Sequence, residues 1–260
     1  MEIVYNKTEA EERTFVQKLV DTAWPDLHPV VGQVLGRGGQ ATVYKLAFVD
    51  GHSEALKEID TSVYRDPARR KDANRRGRSE MHHHKQLSDK TDTVCKLYDS
   101  ASSCERGQDA PMCFLLRMEL LTPLDRKNLA ALDPANREKA VLQIMRDVLE
   151  GLCQTEDAGI IHRDVKCGNI LLRHDPATGQ SRFVLSDFGL ARPFHTRTDR
   201  SFFTVCGSSD HIAPEIIRRG KLIAGRSDIY SAGVMLFHLL FPQNDDYFDP
   251  ALFRQKSADF

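Results

Sequence analysis

The hydrophobic period changes along this chain, and the change limits the folds open to it. From residue 30 to residue 59 apolar residues come in short strand-like runs around glycine. Val30-Val31-Gly32-Gln33-Val34-Leu35 and a run over 41–48 flank a glycine cluster, and Val49-Asp50-Gly51 reads as a hairpin turn into a third strand over 54–59. Two further strands are expected near 94–98 and 113–119. From 123 onward the spacing is mostly helical. Asp133-Pro134 starts a helix in which Val141, Ile144, Met145, Val148, Leu149 and Leu152 recur at helical intervals, and Gly159 sits where a C-terminal cap belongs. A small hairpin over 170–172 and 183–185, a long polar loop over 190–210 and a buried helix from about 227 complete the second half. Strands first and helices second predict an α+β fold of two lobes with a junction near 119–123.

Two helices fall outside that simple order. Residues 8–22 read as an amphipathic helix with a Thr8/Glu11 capping box and Phe15, Val16, Leu19 and Val20 on one face; it is expected to pack on the strand-rich lobe. Residues 65–87 read as a helix rich in arginine, which serves either as a solvated face or as a patch for phosphate or an acidic partner.

Composition removes several classes of function. Lys plus Arg number 36 against 37 Asp plus Glu, so a net charge of −1 gives no general attraction to nucleic acid or acidic membranes. No apolar run approaches the roughly 18 residues a spanning helix needs, and the first residues lack the features of a signal peptide. The six cysteines are spread without zinc or redox spacing and read as free thiols of a reducing compartment, cytoplasmic or nuclear.

Four clusters carry chemistry. Gly36-Arg37-Gly38-Gly39-Gln40-Ala41-Thr42-Val43 lies between two strands, where backbone N–H groups can cover a polyphosphate; the bland alternative is a plain hairpin. Lys57 lies on a strand among apolar residues and needs a counter-charge, for which Glu80 is the natural partner, unless it is a surface lysine of an edge strand. His162-Arg163-Asp164-Val165-Lys166-Cys167-Gly168-Asn169 gathers polar groups between apolar runs that packing does not require. Ser186-Asp187-Phe188-Gly189 ends a strand with a carboxylate and a glycine, and with the amide of Asn169 it offers the hard oxygens that Mg²⁺ takes.

These clusters, with Ala213-Pro214-Glu215 and Asp228-Ile229-Tyr230-Ser231-Ala232-Gly233 in order after them, give residues 30–241 a resemblance to eukaryotic-type protein kinases. The resemblance implies a bilobal protein-kinase-like fold, with a small antiparallel sheet and one helix in the N-lobe (30–118), a hinge (119–122) and a mainly helical C-lobe (123–260), preceded by an extension over 1–29. It implies that Leu35, Gly36, Gly38, Gly39 and Ala41 form the loop over ATP. Lys57, held by Glu80, would pair the α- and β-phosphates, while Val43, Ala55 and Leu171 enclose the adenine. Met118 is implied as the gatekeeper, Glu119, Leu120 and Leu121 as the hinge, and Asp125 as a ribose contact. Asp164 would act as catalytic base, Lys166 would steady the γ-phosphate, and Asn169 with Asp187 would hold Mg²⁺. Lys166, two residues after Asp164, and Ser208 resemble the Ser/Thr-specific group, so the implied substrates are Ser and Thr hydroxyls of proteins. Arg163 before the catalytic Asp implies activation through phosphorylation of Thr204 by an upstream kinase.

Departures from the family pattern bear on function. The loop has Ala41 in place of a third glycine. His82, His83 and His84 are consecutive, and about 100° between successive helical residues forbids one shared metal site. The family normally continues past the Asp228 helix and supplies an arginine for Glu215; Arg254 is wrongly spaced for that task. The C-lobe is therefore expected to be shortened, with apolar surface at Val234, Leu236, Phe237 and Leu240 open to a partner. Beside the active kinase stand a kinase-shaped regulatory module without turnover and a small-molecule phosphotransferase.

Overall fold

The structure is a computed structural model and describes residues 8–38, 41–104, 112–194, 211–214, 216 and 226–242. Gly39, Thr204, Ser208, Glu215 and Arg254 lie outside the described residues. The chain divides into two compact units, Met1–Lys85 with Lys96–Leu120, and Gln86–Cys95 with Leu121–Phe260. The main division falls between Leu120 and Leu121, and the short stretch 86–95 belongs with the second unit.

The first unit is built on one antiparallel sheet. Its strands are β1 (Val30–Arg37), β2 (Thr42–Ala47), β3 (Ser53–Asp60), β4 (Leu97–Cys104) and β5 (Met112–Glu119), in the order β1-β2-β3-β5-β4. Strands β2 and β3 join through the expected turn, where Gly51 has φ +89° and its N–H donates to Phe48 O at 3.0 Å. The alternation of a strand sends Tyr44, Leu46, Leu56 and Leu115 to one face and Ala55, Lys57, Ile59, Phe114 and Leu116 to the other. Helix α1 (Glu9–Ala23) covers the first face. Its N-terminus closes through the Thr8/Glu11 capping box, and Val16, Val20 and Trp24 join Tyr44, Leu46, Leu56 and Leu115 in one buried cluster. Polar contacts fix its far end: Trp24 donates Nε1–H to Asp99 at 2.7 Å, and Arg117, bidentate to Glu54 at 2.9 Å, lies 5.2 Å from the Trp24 ring. Helix α2 (Pro67–Lys90) is the long arginine-rich element. Its Met81 packs with Ile59, Phe114 and Leu116 on the second face of the sheet.

Strand β4 differs from the sequence expectation of 94–98. Thr93, Val94 and Cys95 instead meet Leu185 in the second unit: Leu185 N–H donates to Thr93 O at 3.0 Å and Cys95 N–H to Leu185 O at 2.8 Å. The strand proper runs through the polar 98–104, where apolar alternation gives little signal.

The second unit holds β6 (Thr122–Pro123), α3 (Arg126–Ala131), α4 (Pro134–Asp157), β7 (Ile160–Ile161), β8 (Ile170–His174), β9 (Ser181–Leu185), β10 (Arg192–Pro193) and α5 (Arg226–Leu240). Asp133 caps α4 by accepting from Ala135 and Asn136 N–H at 3.1 Å, and Gly159 at φ +77° ends it. Val141, Ile144, Val148 and Leu152 of α4 share a core with Ile160, Val165, Ile170, Leu185, Phe188, and Ala232, Met235 and Leu239 of α5. Leu149, at the same helical spacing, is 41% exposed. The apolar patch expected on α5 is largely closed: Val234 is 1% exposed, and Leu236 and Leu240 pack half-buried on the core because α4 lies against them. Among the described residues no helix is long and apolar enough to cross a membrane.

Candidate active site

In the first unit, Lys57 sits in the middle of a sheet with neighbours on both sides. Its Cα partners are Val43 on β2 and Leu116 on β5, which removes the edge-strand alternative. The lysine is 8% exposed, so its ammonium requires a counter-charge. Glu80, 4% exposed on α2, supplies it with an Nζ–Oε1 distance of 2.5 Å. Val43 and Ala55 flank Lys57 on the same face, and Ala55 is register partner of Met118. Glu119 pairs with Glu54 in register, and its N–H donates to Lys96 O at 2.9 Å. At the glycine loop, Gly36 opposes Val43, and Gly38 N–H donates to Ala41 O at 2.8 Å, which closes the turn from the described ends. Apart from its chain neighbours, no heavy atom lies within 4 Å of where a Gly36 Cβ would stand, and Leu35 is 43% exposed, so the loop base is open.

In the second unit, the residues from His162 to Asn169 form one hydrogen-bonded assembly around Asp164. Lys166 Nζ donates to Asp164 Oδ2 at 2.7 Å. Asn169 Nδ2 donates both to the Asp164 carbonyl at 2.7 Å and to its Oδ2 at 2.9 Å. The amide nitrogen is thereby committed to Asp164, and Asn169 Oδ1 is the atom left for a cation. That division of the amide fits an oxygen-seeking divalent ion. Asp187 follows Ser186, whose N–H and hydroxyl both donate to Asn169 O at 2.9 Å. The end of β9 is thus tied to the loop that carries Asn169. The Asp187 carboxylate is exposed, and Oδ1 accepts from Gly189 N–H at 3.3 Å. Leu171 on β8 is register partner of Val184 and Pro123. Leu121 is half-buried just before β6. Asp125 serves as N-cap of α3, with Oδ1 accepting from Lys127 and Asn128 N–H at 2.8 and 3.1 Å.

Two residues outside the sequence-predicted set hold this assembly in place. Arg163 and Asp187 have φ of +69° and +64°, a left-handed backbone that disfavours side chains with a Cβ and needs compensation. Asp228, at the start of α5, provides it for Arg163: its two oxygens accept the N–H groups of His162 and Arg163, each at 2.8 Å. Burial pushes the Asp228 carboxyl above the usual range, opposed by His162 and the two backbone donors. His162, fully buried against Phe188, accepts from Asp164 N–H at Nδ1 (3.3 Å) and donates from Nε2 to Ser186 O (3.0 Å). Those two contacts assign its proton to Nε2. Both residues stood in the sequence motifs, but their task is to position backbone, which residue type alone does not reveal. The histidine run behaves differently: His83 and His84 are buried and His82 exposed, and among the described residues no His, Cys, Asp and Glu cluster of metal-binding size occurs.

Comparison with known proteins identifies the family. The model of the protein kinase domain matches residues 30–248. CBL-interacting protein kinase 4 of Oryza sativa subsp. japonica is 33% identical over 221 residues, which cover 81% of this chain and 43% of that protein. The probable serine/threonine-protein kinase PknB of Bifidobacterium longum is 31% identical over 216 residues, covering 81% and 29%. Serine/threonine-protein kinase PLK4 of Drosophila melanogaster is 31% identical over 212 residues, covering 81% and 25%. The chain thus spans less than half the length of these curated relatives. The match over most of the chain shows that it belongs to the protein kinase family.

Proposed function

We propose that the chain transfers the γ-phosphate of ATP to Ser and Thr hydroxyls of proteins. The observation that carries this reading is the fixing of Asp164: Lys166 and Asn169 both donate to its Oδ2, and Asp228 and His162 hold the backbone that leads into it. A carboxylate oriented in that way can accept the proton of a substrate hydroxyl as its oxygen attacks the γ-phosphorus and the bond to the β-phosphate oxygen breaks, releasing ADP. Lys166 then stands beside the transferred group. Asn169 Oδ1 and the Asp187 carboxylate are the oxygens that would hold Mg²⁺, which when bound neutralises phosphate charge. Lys57, fixed by Glu80, is assigned to the α- and β-phosphates, and the open glycine loop at Gly36 and Gly38 to covering them. Val43, Ala55 and Leu171 are assigned to the adenine, Met118, Glu119 and Leu121 to its edge, and Asp125 to the ribose. Thr204 is proposed as the site at which an upstream kinase activates the chain.

The test is transfer from labelled ATP with Mg²⁺ to protein and to Ser, Thr and Tyr peptides. Label on Ser or Thr, lowered at least about 10²-fold by Asp164→Asn, is expected. A folded chain that binds ATP and transfers nothing would replace this reading with the regulatory module; label on Tyr would overturn the specificity.

A further inference from the structure

We infer that Gly77 is a positioning residue for the Lys57–Glu80 pair: its missing side chain sets how closely α2 approaches the sheet. This rests on the role proposed for Lys57. A Cβ built at Gly77 would stand 2.4, 2.5 and 2.9 Å from Cδ2, Cε2 and Cγ of Phe114. Ordinary contact begins at 3.4 Å, so the shortfall is about 1 Å. The ring cannot yield. Phe114 is fully buried on β5, clustered with Ile59, Leu97, Met112 and Leu116. It faces the same side of the sheet as Lys57, since Ile59 pairs with Phe114 and Lys57 with Leu116.

Gly77 lies between the two polar anchors of α2. Three residues before it, Asn74 Oδ1 accepts from the Thr61 hydroxyl at 2.6 Å. Three residues after it, Glu80 meets Lys57 at 2.5 Å. Residues three apart share a helix face, so all three look at the sheet. A methyl at 77 would lever the helix outward at its midpoint and carry the Lys57–Glu80 contact beyond hydrogen-bond length. Glycine is otherwise a poor choice inside a 24-residue helix, where alanine is favoured. Its presence therefore needs a steric reason, and Phe114 supplies one.

The test compares wild type, Gly77→Ala, Phe114→Val and the double variant in the 260-residue chain, with Glu80→Gln as the reference for a weakened pair. Valine removes Cδ2 and Cε2, the two nearest ring atoms, and leaves only γ carbons, the nearest of which needs a shift of a few tenths of an ångström from the 2.9 Å position. The first readout needs no catalysis: labelling of Lys57 by an amine-reactive ester without nucleotide, followed by mass spectrometry. Gly77→Ala is expected to lower Tm and to speed Lys57 labelling at least threefold, as Glu80→Gln does. The double variant is expected to bring labelling back within twofold of wild type. In phosphate transfer, kcat should fall at least tenfold in Gly77→Ala with peptide KM unchanged, and recover in the double variant. Gly77→Ala that raises Tm and leaves Lys57 labelling unaltered overturns the inference, as does a double variant no better than the single one. Should Gly77→Ala not fold, a folded double variant with protected Lys57 supports the inference and an unfolded one overturns it. A wild type that transfers no phosphate refutes the proposed function, while the labelling still decides the role of Gly77.

Discussion

The two units hold the charges assigned to the reaction by different means. In the first, Lys57 and Glu80 come from separate elements, a central strand and a helix, and the 2.5 Å contact depends on how closely those elements pack. In the second, Asp164 is held by hydrogen bonds, most of them from its own loop: Lys166 and Asn169 donate to it directly, His162 takes its N–H, and from a distant helix Asp228 takes the N–H groups of residues 162 and 163. The first arrangement is set by packing distance and the second by hydrogen bonding. Volume changes should therefore damage the first, and changes of donor and acceptor the second.

The same chemical substitution in both places gives the sharpest separation. Asp228→Asn turns one acceptor into a donor facing a backbone N–H, because both carboxylate oxygens are already used. Loss of one buried acceptor, with the left-handed Arg163 no longer restrained, is expected to lower kcat about a hundredfold, near 2.7 kcal/mol. Glu80→Gln keeps an oxygen that Lys57 can donate to and loses the charge. Here a decrease of about tenfold is expected, near 1.4 kcal/mol. Steady-state kinetics of the two variants decide it: equal losses would mean that the two sites are not held differently.

The sequence showed one of these arrangements more fully than the other. A lysine on an apolar strand asks for a carboxylate, and Glu80 on the next helix was the obvious one, so the pair was legible from charge and spacing. The clearance that brings them together was not, because Gly77 and Phe114 are 37 positions apart and only the packed structure sets one on the other. The roles of Asp228 and His162 were hidden for another reason. An Asp at the start of a helix reads as a terminal charge, and only its burial shows that it serves a loop far away in sequence. The short α3 leaves little trace in the sequence, because six residues give too little periodicity. Its signal was the Asp125 cap, which a reading of Asp125 as a ribose contact passes over.

Thr204→Ala extends the comparison to the activation segment. A phosphate on Thr204 would act in the manner of the second unit, through charge-assisted hydrogen bonds to a group such as Arg163. A loss of at least about tenfold in turnover is expected, near 1.4 kcal/mol, at about the lower end of what such bonds contribute. Phosphate on Thr204, read by mass spectrometry, should correlate with activity. Unchanged turnover would place the control elsewhere.

The smallest expected effect on turnover belongs to the other face of the β-sheet, where a second glutamate shows what Glu80 would be without its lysine. Glu58 is 8% exposed beneath α1, and its neighbours are the Tyr44 hydroxyl at 3.4 Å and the Cys113 thiol at 3.7 Å. The nearby charges, Asp60 and Glu12, are also acidic, and Arg37 is engaged with Glu12 at 2.6 Å. Burial, with Asp60, pushes the Glu58 carboxyl from 4.5 up to about 7. The folded chain keeps this proton at pH values where the unfolded chain has released it. Stability therefore falls as pH rises from about 4.5 through about 7, by an amount on the order of 3 kcal/mol. Glu58→Gln, neutral throughout, should raise Tm at pH 8, change it little at pH 5 and flatten the slope between, with turnover at pH 6 nearly unaltered. Thermal melts at the two pH values measure this directly. A variant as pH-sensitive as wild type would mean that Glu58 already has a compensating cation, and that the two faces of the sheet do not differ in how they hold a buried carboxylate.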